Sequence, residues 1–205
     1  MILRVERLTV RRGGRMILSS LDLEAAEGEV VGVVGKNGSG KSTLLMAIAG
    51  ILEPSDGRIT IADASVWGST RERTRARSAL GYVPENADPP GFLRASELWA
   101  LCAASRKTSP PTSELTAALG LDELADLPLE RMSLGQRRRA CLGAALLGPP
   151  ALLVLDEPDN GLDARRTEAL VELTRAHAGA GHAAVLATHD RTLLDTVDAR
   201  LVTLG

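Results

Sequence analysis

Apolar and polar positions alternate along ILRVERLTVRR, residues 2–12, at the two-residue period of a half-buried strand. MILSSLDLEAAEGEVVGVVG, residues 16–35, reads as a second strand, a Glu-Gly turn and then a continuous apolar strand. Helical signals follow at 41–52, and EPSDGRITIAD, 53–63, reads as a turn and a short strand. RERTRAR, 71–77, fits a solvated helix face. The pattern changes after residue 85. ENADPPGFL is a proline-rich loop, with helix-like stretches near 95–105 and 113–120 broken by KTSPPT. Helical character returns over QRRRACLGAALL, 136–147. ALLVLDEP is a buried strand ending in acids, DARRTEALVELTRAHA an amphipathic helix starting after Asp163, and HAAVLATHD another apolar strand. Apolar strands alternating with helices predict an α/β fold with a mainly parallel sheet and a small helical insertion.

Composition narrows the picture. The 205 residues are 44% hydrophobic but only 2% aromatic, so the core must be built from Leu, Val, Ala and Ile. A net charge of -2 argues against binding nucleic acid through bulk charge, and no direct nucleic-acid contact is expected. Cys102 and Cys141 stand apart from any CxxC or Cys/His spacing and read as buried, reduced thiols. The first residues, MILRVERLTV, lack a signal-peptide pattern, and no apolar run reaches the length of a membrane span, so a cytoplasmic protein is expected. Of 24 basic residues only Lys36, Lys41 and Lys107 are lysines. Two of the three fall in one glycine-rich loop, where a compact ammonium suits an anion.

That loop carries the chemistry. GKNGSGKS, residues 35–42, has the form G-x-x-x-x-G-K-[ST] between an apolar strand and a helix. Gly35, Gly38 and Gly40, with Lys36, Asn37 and Ser39 between them, let the backbone fold into a nest of inward N–H groups. The helix that follows adds its positive end. Lys41 is placed to reach β- and γ-phosphates, Ser42 to ligate Mg2+, and Thr43 to make a further phosphate contact. A second pole lies at Asp156 and Glu157, at the carboxyl end of a strand, where open α/β sheets bind ligands. Asp156 is expected to hold Mg2+ through water or from behind its direct ligands, and Glu157 is the expected general base that polarises an attacking water. His189 ends another apolar strand and is expected at the γ-phosphate or that water. His177 and His182 lack such a position.

Taken together these residues resemble the ATP-binding cassette ATPases, the nucleotide-binding subunits of ABC transporters. GKNGSGKST corresponds to the Walker A loop, LLVLDEP to Walker B, DNGLD at 159–163 to the D-loop and His189 to the switch histidine. MSLGQRRR resembles the signature sequence, usually LSGGQ. The resemblance implies a P-loop NTPase fold over 1–205. Its RecA-like core and N-terminal antiparallel β-subdomain would cover about 1–84 and 148–205, and its helical subdomain about 85–147. It implies ATP and Mg2+ as cofactors, and a homodimer or heterodimer with a second cassette. Ser133, Gly135 and Gln136 would then meet the partner's nucleotide. It also implies a separate transmembrane permease that holds the chain at the inner face of the membrane.

Three residues depart from the family pattern. Leu134 replaces the first signature glycine. Glu85 stands where the family has the Q-loop glutamine; it would approach Mg2+ through water, and it resembles exporter-type cassettes. Arg12 falls where an aromatic residue stacks on adenine, and a guanidinium plane can stack there too. Residues 86–105, with Phe92, Leu93, Leu98 and Trp99, are expected either to meet the membrane subunit or to pack within the helical subdomain. No appended regulatory domain is expected after His189. Two other functions stay open: a soluble cassette ATPase acting on nucleic acid or ribosomes, and a nucleotide-gated regulatory module with weak turnover.

Overall fold

The structure, a computed structural model, describes residues 1–205. β1 (Leu3–Arg12) and β2 (Arg15–Ala25) form a hairpin around Gly13 and Gly14, both in the left-handed region. β3 (Val30–Gly35) then leaves this layer. β4 (Asp56–Ile61) pairs the other edge of β1, and β5 (Ala64–Ser65) pairs β4, giving an antiparallel sheet in the order β2-β1-β4-β5. β6 (Leu80–Val83), β7 (Leu152–Asp156), β8 (Ala183–Ala187) and β9 (Arg200–Leu204) join β3 in an all-parallel sheet, β6-β7-β8-β3-β9.

The parallel strands are apolar throughout because both faces of this sheet are covered. Val31, Val33, Leu152, Val154, Val185 and Ala187 pack on one face with α1 (Lys41–Ile48) and the antiparallel sheet. Val30, Val34, Leu153, Leu155, Ala184 and Leu186 point the other way. There they meet α5 (Leu134–Ala145), α6 (Ala164–Gly179) and α7 (Arg191–Thr196).

The remaining helices lie between the strands. α2 (Thr70–Ser78) is the RERTRAR segment and is solvated as expected, with only Ala76 buried. It starts at a capping box, Ser69 with Glu72. α3 (Ala95–Arg106) and α4 (Ser113–Leu119), together with α5, form the helical block between β6 and β7. Two boundaries differ from the sequence expectation. α1 stops at Ile48 instead of 52, because Gly50 turns the chain at φ 70°. α5 begins two residues earlier than 136, since the Ser133 hydroxyl caps it by accepting from the Gln136 N–H.

The aromatic residues near 86–105 divide. Trp99 is buried at 6% exposure and donates from Nε1 to the Ala140 carbonyl at 2.9 Å, so it packs within the helical block. Leu93 and Leu98 are partly buried against the same core, whereas Phe92 is 77% exposed. Cys102 and Cys141 are half-buried instead of fully buried. Both line a groove between the loop after β6 and helices α3 and α5. Burial raises both thiol pKa values, Cys141 to about 11, which keeps them as unreactive thiols. No helix is long and apolar enough to cross a membrane.

Candidate functional site

The order of the parallel sheet places three loops along one edge. β3 delivers the glycine-rich loop, β7 delivers Asp156 and Glu157, and β8, between them, delivers Thr188 and His189. A cleft of about 650 Å³ opens there. Arg12, Asn37, Gly38, Gly40, Lys41, Ser42, Thr43, Glu85, Glu157 and His189 all line it. Sequence reasoning had selected each of these. Gly35, Lys36 and Ser39 border a neighbouring cleft behind the loop, and His189 lies on both.

The loop glycines serve two purposes. Gly38 and Gly40 adopt φ 82° and 100°, conformations that disfavour a side chain. Gly35 needs no such angle. It is small because a Cβ there would stand 2.7 Å from the Leu204 carbonyl of β9 and would strike the Ser39 hydroxyl. Gly40 is the N-cap of α1 and offers no side chain, so the first N–H groups of that helix are left facing the cleft. Lys41 is buried, and its Nζ donates to the Gly35 carbonyl at 3.1 Å, which folds the ammonium back over the loop.

On the opposite wall, Glu157 sits at φ 46°, a left-handed conformation rare for a residue with a side chain. Such strain, of order 1–3 kcal/mol, persists where surrounding contacts over-determine it. Here the Glu157 N–H donates to the Ala187 carbonyl at 2.7 Å, and its own carbonyl accepts from the Asn160 N–H at 3.2 Å. The carboxylate is held as well. Oε1 lies 3.2 Å from His189 Nε2, and Oε2 accepts from the His189 N–H at 3.3 Å. Burial raises the Glu157 pKa, Asp159 adds to this, and His189 and Lys41 oppose it.

Asp156 is buried, and its Oδ1 has no hydrogen-bond partner. Burial raises its pKa and Glu85 adds to this, while the Ser42 hydroxyl, Lys41 and Arg138 pull the other way. An orphaned carboxylate oxygen beside a hydroxyl fits a hard divalent cation. No cluster of three His, Cys, Asp or Glu residues stands ready to hold a metal alone. Mg2+ binding at such a site draws its other ligands from phosphate and water.

Asp159 and Asn160, which open the DNGLD turn read from the sequence, also line the cleft. Sequence reasoning missed Ile17, an apolar strand position that carries no chemical signal. Thr188 was missed too. Its hydroxyl donates to Asp159 Oδ1 at 2.7 Å and accepts from the Asp190 N–H at 3.0 Å, pinning the DNGLD turn to the end of β8.

Ser133, Gly135 and Gln136 do not line this cleft. They form the first turn of α5, with Ser133 exposed and Gly135 and Gln136 half-buried, and Gln136 Oε1 accepts from the Ser133 N–H at 2.9 Å. The N–H groups of Leu134 and Gly135 have no partner within the helix. The Leu134 side chain is 56% exposed. Gly135 packs against Gly161 of the DNGLD turn so closely that any Cβ would collide with the Gly161 carbonyl.

The family model for ABC transporters matches residues 18–160. The chain belongs to the ABC transporter family. It is 38% identical over 208 residues to a putative ABC transporter ATP-binding protein of Streptomyces avermitilis, covering 98% of this chain and 36% of that protein. It is 34% identical over 194 residues to the zinc import ATP-binding protein ZnuC of Halorhodospira halophila, covering 94% of this chain and 70% of that one. The ABC chain thus spans 36% of the length of its Streptomyces relative. A solved ATP-binding subunit of an ABC transporter superposes with a TM-score of 0.92 at 25% identity, over 100% of this chain and 86% of that one. A dimeric ATP-binding cassette in a post-hydrolysis state, bound to ADP and Pi, superposes with a TM-score of 0.86 at 24% identity, covering 100% and 94%. That likeness establishes the shared ABC fold.

Proposed function

We propose that this chain binds and hydrolyses ATP with Mg2+ as the nucleotide-binding part of an ABC transporter, paired with a second cassette and coupled to a membrane subunit. One observation carries the reading: Lys41 and the helix N-terminus face the strained, histidine-held Glu157 across a single cleft.

The roles follow from position. Amides of Gly38–Thr43 and the α1 N-terminus cradle the phosphates. Lys41 exchanges the Gly35 carbonyl for β- and γ-phosphate oxygens. Ser42 and Asp156 would hold Mg2+, with Glu85 near enough to meet its water; bound there, the ion would supply positive charge to the phosphates. Glu157 accepts a proton from the water that attacks the γ-phosphorus, as the bond to the bridging oxygen breaks and ADP departs. His189 keeps the Glu157 carboxylate in place and stands near the γ-phosphate. Arg12, at the end of β1, stacks on the base. The free N–H groups at the start of α5, with Ser133 and Gln136, serve the γ-phosphate bound by the partner cassette.

Named importers of zinc and cobalt stand among the relatives, which supports a transport role. Such a role places the chain at the inner membrane face through its partner. Steady-state hydrolysis tests the chemistry. Glu157→Gln is expected to lower kcat by about 10²-fold or more while retaining ATP. Lys41→Ala is expected to weaken ATP binding, read by calorimetry. Equal turnover of wild type and Glu157→Gln would refute the role of Glu157, and unchanged affinity in Lys41→Ala would refute that of Lys41.

A further inference from the structure

Helix α5 carries a buried cation that the reaction above does not use. Arg138 is 2% exposed and heads the fully buried side chains by volume. It makes no direct ion pair. Its guanidinium donates to carbonyls instead. Nη1 reaches the Asp156 carbonyl at 3.1 Å and the Pro84 carbonyl at 3.4 Å, and Nη2 reaches the Glu85 carbonyl at 2.7 Å. Nε has no partner. A buried charge without a carboxylate in contact is costly to keep.

The three carbonyls belong to two segments of the cleft, the turn after β6 that carries Glu85 and the end of β7 that carries Asp156. Arg138 itself belongs to the helix that opens at Ser133. Burial pulls its pKa down. The charges of Asp159, Asp156 and Glu85, with Cys141, act against that, so the acids of the cleft stand within electrostatic reach of the guanidinium. We propose that Arg138 is a positioning residue of the ATP site: it fastens the Glu85 turn and the Asp156 strand end to the Ser133 helix, and its charge offsets the carboxylate that Glu85 adds beside the phosphates. This rests on the ATPase reading above.

The two halves of the proposal separate cleanly. The hydrogen bond runs to the Glu85 backbone, so a scaffold role alone is indifferent to the Glu85 side chain. A charge-offset role is not. A displacement of α5 must also carry both cleft segments with it, because one rigid guanidinium grips both.

The test compares wild type with Glu85→Gln, Arg138→Lys, Arg138→Gln and the double variant Arg138→Gln/Glu85→Gln. kcat and KM for MgATP are measured alongside ATP affinity by calorimetry, at a temperature where thermal melts show every protein folded. Arg138→Gln is expected to lose about tenfold in kcat with ATP affinity held within about threefold. Arg138→Lys should keep more activity, since it retains the charge and one donor direction. Glu85→Gln should cost less in the Arg138→Gln background than in wild type, the two kcat ratios differing about threefold. Wild-type kcat in Arg138→Gln would overturn the proposal, and strictly additive effects in the double variant would overturn its charge offset. If Arg138→Gln does not fold, Arg138→Lys decides: a fall in kcat at constant KM upholds it, and wild-type kcat overturns it. Failure of the wild-type protein to bind or hydrolyse ATP would instead refute the ATPase reading, visible before any variant is compared.

Discussion

Glu157 shows how much work one residue position absorbs. Its backbone is strained, its side chain is buried, and its carboxylate pKa lies above the usual range because burial disfavours the charge. The kinetic consequence has a definite sign. The ionised form takes the proton, so the acid limb of kcat should sit above the ordinary glutamate value of about 4.3. His189 opposes the shift, and His189→Ala should therefore move that limb further toward neutrality, read from a pH–rate profile. The stability consequence has the opposite sense. A carboxyl whose folded pKa is raised contributes fully below its unfolded pKa, and that contribution is lost as pH rises through the folded value. Glu157→Gln should thus melt at a higher temperature than wild type at neutral pH. The advantage should vanish below the ordinary glutamate range. A Glu157→Gln protein no more stable at pH 7.5 than at pH 4 relative to wild type would contradict this account.

At the scale of elements, arginine organises the helical block. Arg106 donates to the carbonyls of Ala144, Ala145 and Leu147 at the end of α5, and to Leu80 at the start of β6. Arg139 serves Leu119 and Gly120 at the end of α4 and pairs with Glu123; Arg166 adds the Ala117 and Ala118 carbonyls. These side chains satisfy the orphan carbonyls of helix ends. Gly135 makes the opposite contribution, an absence of side chain where α5 meets the DNGLD turn. Gly135→Ala is expected to push that turn away, cost about 1–3 kcal/mol by overpacking, and lower kcat, measured by denaturant unfolding and steady-state assay. Legibility differed between these features. The parallel strands were readable because burial on both faces leaves no alternative to an apolar run, and the glycine loop because its angles and close contacts demand those residues. The arginines were not equally readable. RERTRAR and QRRR look alike as letters, yet the first is solvated and the second buries Arg138 and Arg139. What separates them is the position of carbonyls from distant segments, which local periodicity does not encode. The Ser69–Glu72 capping box, by contrast, was present as a plain S-x-x-E pattern and went unused.

For the whole molecule, the separation between the two recognition surfaces becomes an argument about assembly. Lys41, Ser42 and Glu157 share a cleft, with Asp156 buried at the strand end beside it, while Ser133, Gly135 and Gln136 start a helix elsewhere. On the proposed reading, one chain would hold a triphosphate from one side only. A second chain, turned head to tail, would bring its α5 N-terminus to the exposed phosphate, and two such sites would close one symmetric pair. The nucleotide is then part of the interface, and association is linked to its γ-phosphate. Glu157→Gln with MgATP should run as a dimer in size-exclusion chromatography coupled to light scattering, whereas the same protein with MgADP should run as a monomer. Replacing Ser133 by arginine, which sets a bulky side chain against the partner's site, should abolish the ATP-dependent dimer while leaving ATP affinity of the single chain within about threefold. A dimer that forms equally with ADP, or that survives Ser133→Arg, would place the subunit contact somewhere other than across the nucleotide. Exposed Leu134 sharpens the same test, because desolvating it against a partner adds apolar contact beside the phosphate. Leu134→Gly should therefore weaken the ATP-bound dimer by about tenfold or less without dissolving it, as expected if the helix N–H groups and the nucleotide hold the pair together.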